Sequence, residues 1–222
     1  GAGAENIETA SSLAGHVCGM KMYLDQTFGT LRMDDLESLI AHTEHWPANK
    51  PLAVHAEGRA VAAAILVAQL SGHSIHICHV SRKDEIELIR NAKDHGLNVT
   101  CEVTPHHLFL SAESASDAGL HGSYADVRPR LGSEKDRLGL WENLAAIDCF
   151  ATDHAPHTRA DKDGRDPPPG FPGLETSFAL LLGAVYDGRL TIDDIILRMH
   201  TNVKHIFNIP DQHDTFIEVD PD

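Results

Sequence analysis

The chain has 222 residues, 42% hydrophobic and 23% charged, which is ordinary for a globular protein long enough to form one large domain or two small ones. A formal net charge of -15 argues against a nucleic-acid surface, and no apolar run approaches the ~20 residues needed to cross a bilayer. Cys18, Cys78, Cys101 and Cys149 form no C-x-x-C pair and lie in or beside apolar runs, as reduced thiols do in a cytosolic protein, and no signal-peptide pattern opens the chain. A single cytoplasmic domain over residues 1–222 is expected, with neither membrane nor nucleic acid as partner.

In chain order, the first strand is predicted over 20–24. A glycine-containing loop over 25–32 leads to a helix over 33–45, in which Leu36, Leu39 and Ile40 have helical spacing. Pro47 and Pro51 punctuate the exit, and a strand follows over 52–55. The alanine-rich stretch 60–70 predicts a helix that Gly72 can end, and 75–80 the third strand. Ser81 with Asp84 three residues on resembles a capping box opening a helix that runs to Gly96. The fourth strand is predicted over 97–103. Ser133 and Asp136 resemble a helix start for 138–146, and the fifth strand is predicted over 147–152. The loop 158–173, rich in charge, proline and glycine, is long enough to form a lid or wall. Helices over 174–186 and 191–207 follow, and 215–219 has the pattern of another strand beginning. Strand alternating with helix predicts an α/β fold of parallel strands joined by right-handed crossovers.

Chemistry in such folds gathers at the carboxyl ends of the strands. Each predicted strand carries at or near that end a residue able to hold a metal: Lys21, His55, Cys78 with His79, Glu102, and Asp153. His55 and His79 supply neutral nitrogens suited to zinc, whereas a single strand-end histidine is more often a hydrogen-bonded core residue. Burial would depress the Lys21 pKa and leave an amine able to react with carbon dioxide to form a carbamate; snorkelling to solvent is the plain alternative. Asp153 could both complete a metal shell and take a proton from metal-bound water, or simply cap the next turn. Cys78 should point away from His79, because side chains alternate along a strand; only an irregular strand end would let both bind. Arg128 offers a planar fork to a carboxylate and His157 is a second candidate anion grip, while His106, His107 and His154 suit supporting or packing roles.

The segments GMKMYLDQTF, VHAEG, HICHVSRK, CEVTPHHLFLS, DVRPRLGS, ATDHAPHT and PPPGFPGLET together resemble a dihydroorotase. The likeness is to the dihydroorotase domain of animal multifunctional pyrimidine-synthesis polypeptides, in the amidohydrolase superfamily, and runs from Gly1 to about Val219. It implies a (β/α)8 TIM-type barrel with two zinc ions bridged by a carbamylated Lys21. His55 and His79 would bind the second zinc; Asp153 would bind the first and act as general base and acid. Cys78 and Glu102, with His55, match a third zinc of some members. Arg128, His157, Pro169 and Gly170 match substrate-binding positions, and Thr27 and Phe28 the tip of a mobile loop. The implied reaction is the reversible cyclisation of N-carbamoyl-L-aspartate to L-dihydroorotate. The implied partners are a second copy of the chain and linked carbamoyl-phosphate synthetase and aspartate transcarbamylase domains.

The sequence departs from that pattern in one respect: no H-x-H-x-R segment precedes Lys21, and only twenty residues stand before it. Two ligands of the first zinc are therefore missing. The expectation is a fragment that begins near the end of barrel strand three, covers roughly strands 4–8, is inactive alone because those ligands are absent, and is poorly soluble because of its open sheet edges. Two alternatives stand beside this reading: a related dihydropyrimidinase or allantoinase, and a catalytically silent dihydroorotase-like scaffold.

Overall fold

The computed structural model describes residues 1–219 except Phe28 and Asp34, so the expectation for Phe28 falls outside the described residues. A short helix α1 (Ile7–Ser12) precedes strand β1 (Met20–Tyr23). Four βα steps follow: α2 (Leu36–His45), β2 (Leu52–His55), α3 (Arg59–Ser71), β3 (Ile75–Ile77), α4 (Lys83–Asp94), β4 (Val99–Val103), α5 (Pro105–Phe109), α6 (Glu134–Glu142) and β5 (Cys149–Phe150). Helices α7 (Arg159–Lys162), α8 (Leu174–Tyr186), α9 (Ile192–Ile196) and α10 (Asn202–Phe207) complete the chain.

The strands form one parallel sheet in the order β1-β2-β3-β4-β5, so every step places the next strand beside the last. Met22, Val54, Ile77 and Cys101 stand level in one row, and all four are fully buried. They share a core cluster with Val61 of α3 and with Ile86 and Ile89 of α4. Alternation then sends Lys21, Tyr23, His55, His76 and Glu102 to the opposite face. One face is the apolar core, and the other carries the polar chemistry.

Local capping explains most helix starts. Asp35 accepts from the Ser38 amide at 2.6 Å and opens α2 at Leu36, three residues later than the sequence predicts. Gly72 closes α3 at φ 70, where the left-handed backbone favours glycine. Ser133 and Asp136 form the expected capping box, but α6 starts directly after Ser133, at Glu134, and yields to a short 3₁₀ turn at Leu144–Ala146.

Other expectations are corrected. Ser81 does not cap α4: the N-cap position is Arg82, whose amide is accepted at 3.1 Å by Glu85 rather than by Asp84. Residues 191–207 are not one regular helix, because a π-helical turn over Leu197–Thr201 separates α9 from α10. That turn places Arg198 where it donates to the carbonyls of Ile147 and Leu144. Residues 215–219 form no strand. The third strand ends earlier than predicted, at Ile77, and the fifth is shorter at both ends, Cys149–Phe150.

Candidate active site

The carboxyl ends of the strands open into a cavity of ≈ 350 Å³ lined by Lys21, Tyr23, Thr27, His55, His79, Arg128, Asp153, Pro169 and Gly170, among others. Four of the strand-end residues, Lys21, His55, His79 and Asp153, thus line one place. Three expected residues do not line it. Cys78 lies buried beneath, Glu102 is hydrogen-bonded by His76 at 3.0 Å, and His157 stands behind the wall with Nε2 3.1 Å from the Pro169 carbonyl.

Two ligand candidates sit in unusual backbone conformations. His79 has φ 37 and Asp153 φ 43, in the left-handed region that costs a non-glycine residue roughly 1–2 kcal/mol. The break after Ile77 has a chemical consequence. Cys78 keeps the sheet's polar face and interacts with Lys21, while the turned backbone brings His79 to the same cavity. The strand end is irregular, but only His79 reaches the cavity, and Cys78 stays beneath it.

His55 Nδ1 and His79 Nε2 lie 2.9 Å apart with both rings buried. The outer nitrogens, His55 Nε2 and His79 Nδ1, are buried without a hydrogen-bond partner. Glu57 Oε1 is 3.6 Å from His55 Nε2, longer than a hydrogen bond, yet His55 holds the Glu57 carboxyl below its ordinary range. Burial, aided by the charge of Lys21, pushes His79 far below the usual imidazole value, so it is neutral as a ligand must be. Burial also raises Asp153, against the opposing pull of Lys21.

Lys21 departs from expectation. Burial does lower its pKa, but Cys78, Glu102 and Tyr23 outweigh it and the group ends above its ordinary value. The Cys78 thiol is itself pushed up to about 12 by burial, so at neutral pH it stays protonated and Glu102 is the anion that Lys21 meets. Glu102 remains ionised because the His76 hydrogen bond overcomes the cost of burial.

The donor set of two imidazoles, a carboxylate and a lysine fits a zinc ion in kind, and His55 Nε2 and His79 Nδ1 are buried nitrogens left open to a ligand. Among the described residues, however, no three His, Cys, Asp or Glu side chains already stand together as a metal-binding group. Arg128 is partly engaged: its Nη1 donates to the Asp126 carboxylate and, at 2.9 Å, to the Val127 carbonyl.

Several functional neighbours were not singled out from sequence. Tyr23 was legible, being two residues from Lys21 on the same strand face. His76 carries no local signal, since its partner Glu102 is set by strand register, whereas Glu57 stands only two residues beyond its neighbour His55.

No protein-family model matches the chain. It is 51% identical over 220 residues to the multifunctional protein CAD of Squalus acanthias, covering 99% of this chain and 10% of that protein. The inactive dihydroorotase-like domain of the Chaetomium thermophilum CAD-like multifunctional protein superposes with a TM-score of 0.77 at 34% identity, covering 96% of this chain and 59% of that one. The chain is homologous to the dihydroorotase-like domain of CAD-type multifunctional proteins. The L-hydantoinase of Arthrobacter aurescens shares the fold, with a TM-score of 0.85 at 23% identity over 94% of this chain and 55% of that enzyme. The dihydroorotase-like chain thus spans little more than half of these barrel-type neighbours and about a tenth of its multifunctional relative. Its five parallel strands are part of an amidohydrolase TIM-barrel architecture.

Proposed function

We propose that this dihydroorotase-like chain contributes the later-strand half of a zinc-dependent cyclic amidohydrolase site that interconverts N-carbamoyl-L-aspartate and L-dihydroorotate. The observation that carries the reading is the convergence of Lys21, His55, His79 and Asp153 on one cavity that also holds Arg128. His55, His79 and Lys21 as its carbamate would hold zinc, with Asp153 beside it. Bound zinc supplies an activated water and polarises the carbonyl under attack. Cys78 and Glu102 lie under the cavity floor and suit a further cation only after Glu102 exchanges its bond to His76.

The chain's own residues do the rest. Asp153 takes the proton of the attacking water and returns it to the departing ring nitrogen; burial raises its pKa toward the range in which a carboxyl group can move protons both ways. Arg128, tethered by Asp126, presents its remaining guanidinium nitrogens to the substrate carboxylate. Pro169 and Gly170 close the cavity opposite, held by the 2.9 Å bond from the Gly170 amide to the Asp126 carbonyl. Gly170 has φ 140, and a Cβ there would meet the Ala155 carbonyl at 2.6 Å, so only glycine fits the wall. Thr27 on the β1–α2 connection faces the same space. In the parent protein the proposed setting is a homo-oligomer in which this domain is linked to carbamoyl-phosphate synthetase and aspartate transcarbamylase, in the cytoplasm; among the described residues no helix is long and apolar enough to cross a membrane.

The test is Asp153→Asn in the intact parent protein, assayed in both directions. A loss of at least about 100-fold in kcat is expected for a group that moves the proton. Undiminished turnover defeats the reading. A second reading, a silent dihydroorotase-like scaffold, draws on the inactive Chaetomium thermophilum domain and on the absence of a ready-made trio of metal donors among the described residues. It gains if the wild-type parent protein binds no zinc and turns over no dihydroorotate.

A further inference from the structure

Glu85 is 3% exposed, at the third position of α4, and belongs to none of the groups that line the cavity. An ordinary capping-box carboxylate at this position reaches back to the N-cap amide and stays in solvent. Glu85 does more. Its Oε2 accepts from the amides of Arg82 at 3.1 Å and Ser81 at 3.3 Å, while its Oε1 leaves the helix and accepts from the Gly58 amide at 2.7 Å. Gly58 lies three residues beyond His55, and Ser81 two residues beyond His79. One buried carboxylate therefore ties together the two loops that follow the histidine-bearing strands.

The β3 loop is strained beside the bridge: His79 has φ 37, a conformation that a non-glycine residue keeps only where the surroundings over-determine it, whereas Gly58 has φ 51, which glycine adopts without strain. The sheet supplies only part of that restraint: the β2–β3 register stops at Val54 and Ile77, and one more backbone bond, from the Cys78 amide to the Val54 carbonyl at 2.9 Å, extends it. Past that bond the two segments are held by different neighbours, the His55 carbonyl by the Leu24 amide at 2.9 Å and the Val80 amide by the Glu102 carbonyl at 2.8 Å, so the ladder does not join the β2 and β3 loops to each other.

We infer that Glu85 is a positioning residue whose bridge between the β2 and β3 loops fixes the spacing of His55 and His79. Its bearing on zinc rests on the function proposed above; its bearing on the histidine pair does not. A carboxamide has one acceptor oxygen, so Glu85→Gln keeps the volume but releases one loop. Glu85→Asp keeps the charge and is too short to span both.

The experiment compares the intact chain with Glu85→Gln, Glu85→Asp and Ala92→Gly, the last weakening α4 at a buried position away from the bridge. Imidazole nitrogen NMR of the metal-free protein reads the His55–His79 contact, and calorimetry with zinc alone reads affinity. In both Glu85 variants the nitrogen signature of the close pair is expected to be lost and zinc affinity to fall about 10-fold or more, the usual cost of removing support from outside the ligand shell. Ala92→Gly is expected to lower the melting temperature with the pair intact. A preserved signature in a folded Glu85→Gln, or equal loss in Ala92→Gly, overturns the proposal. So does failure of both Glu85 variants to fold where Ala92→Gly folds, since Glu85 then serves stability alone. If the wild type binds no zinc, the metal reading fails, and the NMR comparison still decides Glu85.

Discussion

His107 makes a pH dependence that can be worked from its surroundings. It is 2% exposed; Nε2 lies 3.0 Å from the Pro129 carbonyl and Nδ1 2.7 Å from the Thr104 hydroxyl. A carbonyl only accepts, so Nε2 carries the proton and Nδ1 accepts from Thr104, which leaves no place for a second proton. Burial is the main reason its pKa falls to about 4 from an ordinary 6.5. The unfolded chain therefore takes up a proton near 6.5 and the folded chain only near 4. Stability from this group is complete above 6.5, falls as pH drops toward 4, and is level below. The interval corresponds to about 3 kcal/mol, lost at a slope of roughly 1.4 kcal/mol per pH unit.

His106 and His79 are shifted in the same direction, so the wild-type profile sums several groups. His107→Gln isolates one. Urea unfolding of both proteins, followed by tryptophan fluorescence between pH 7.5 and pH 4, gives the difference. The variant is expected to be about 1–2 kcal/mol less stable at pH 7.5, where an imperfect hydrogen-bond pair replaces a good one, and to lose that disadvantage on acidification. Profiles that stay parallel to within about 0.5 kcal/mol would refute the reasoning, as would NMR titration of the folded His107 ring near pH 6.5.

Two further expectations concern buried cations outside the ligand set. Arg198 donates to the Ile147 and Leu144 carbonyls and at 2.7 Å to Asp194, so Arg198→Met should cost about 3 kcal/mol by stranding two carbonyls and a carboxylate, measured as a lower denaturation midpoint; a change under about 1 kcal/mol would show the π-helical turn does not depend on it. Lys162 donates to the Pro168 and Ser123 carbonyls at 2.9 and 3.1 Å and so pins the Pro169–Gly170 wall. Lys162→Met should cost about 2 kcal/mol and speed hydrogen exchange at the Gly170 amide, and unchanged protection there would separate Lys162 from the wall.

The sequence alone determined the alternation of strands and helices, the parallel sheet, and the strand-end positions of Lys21, His55, His79 and Asp153. These follow from periodicity and capping, which act over a few residues. Gly72 and the Ser133–Asp136 box were legible for the same reason, and the resemblance carried over those positions and Arg128. Long-range placement was not legible. Alternation alone pointed Cys78 away from His79, and only the left-handed turn at His79 brings His79 to the cavity while Cys78 stays beneath it against Lys21. Burial alone predicted a depressed Lys21, and only the register beside Cys78 and Glu102 reverses its shift. Glu102 was read as a ligand candidate, yet its partner His76 comes from the adjacent strand, 26 residues away. Glu85, a routine third residue of a helix in sequence, becomes a bridge only because the β2 loop passes above it. Chain-local signals choose the elements, whereas protonation and contact depend on neighbours that only the folded sheet brings within a few ångströms.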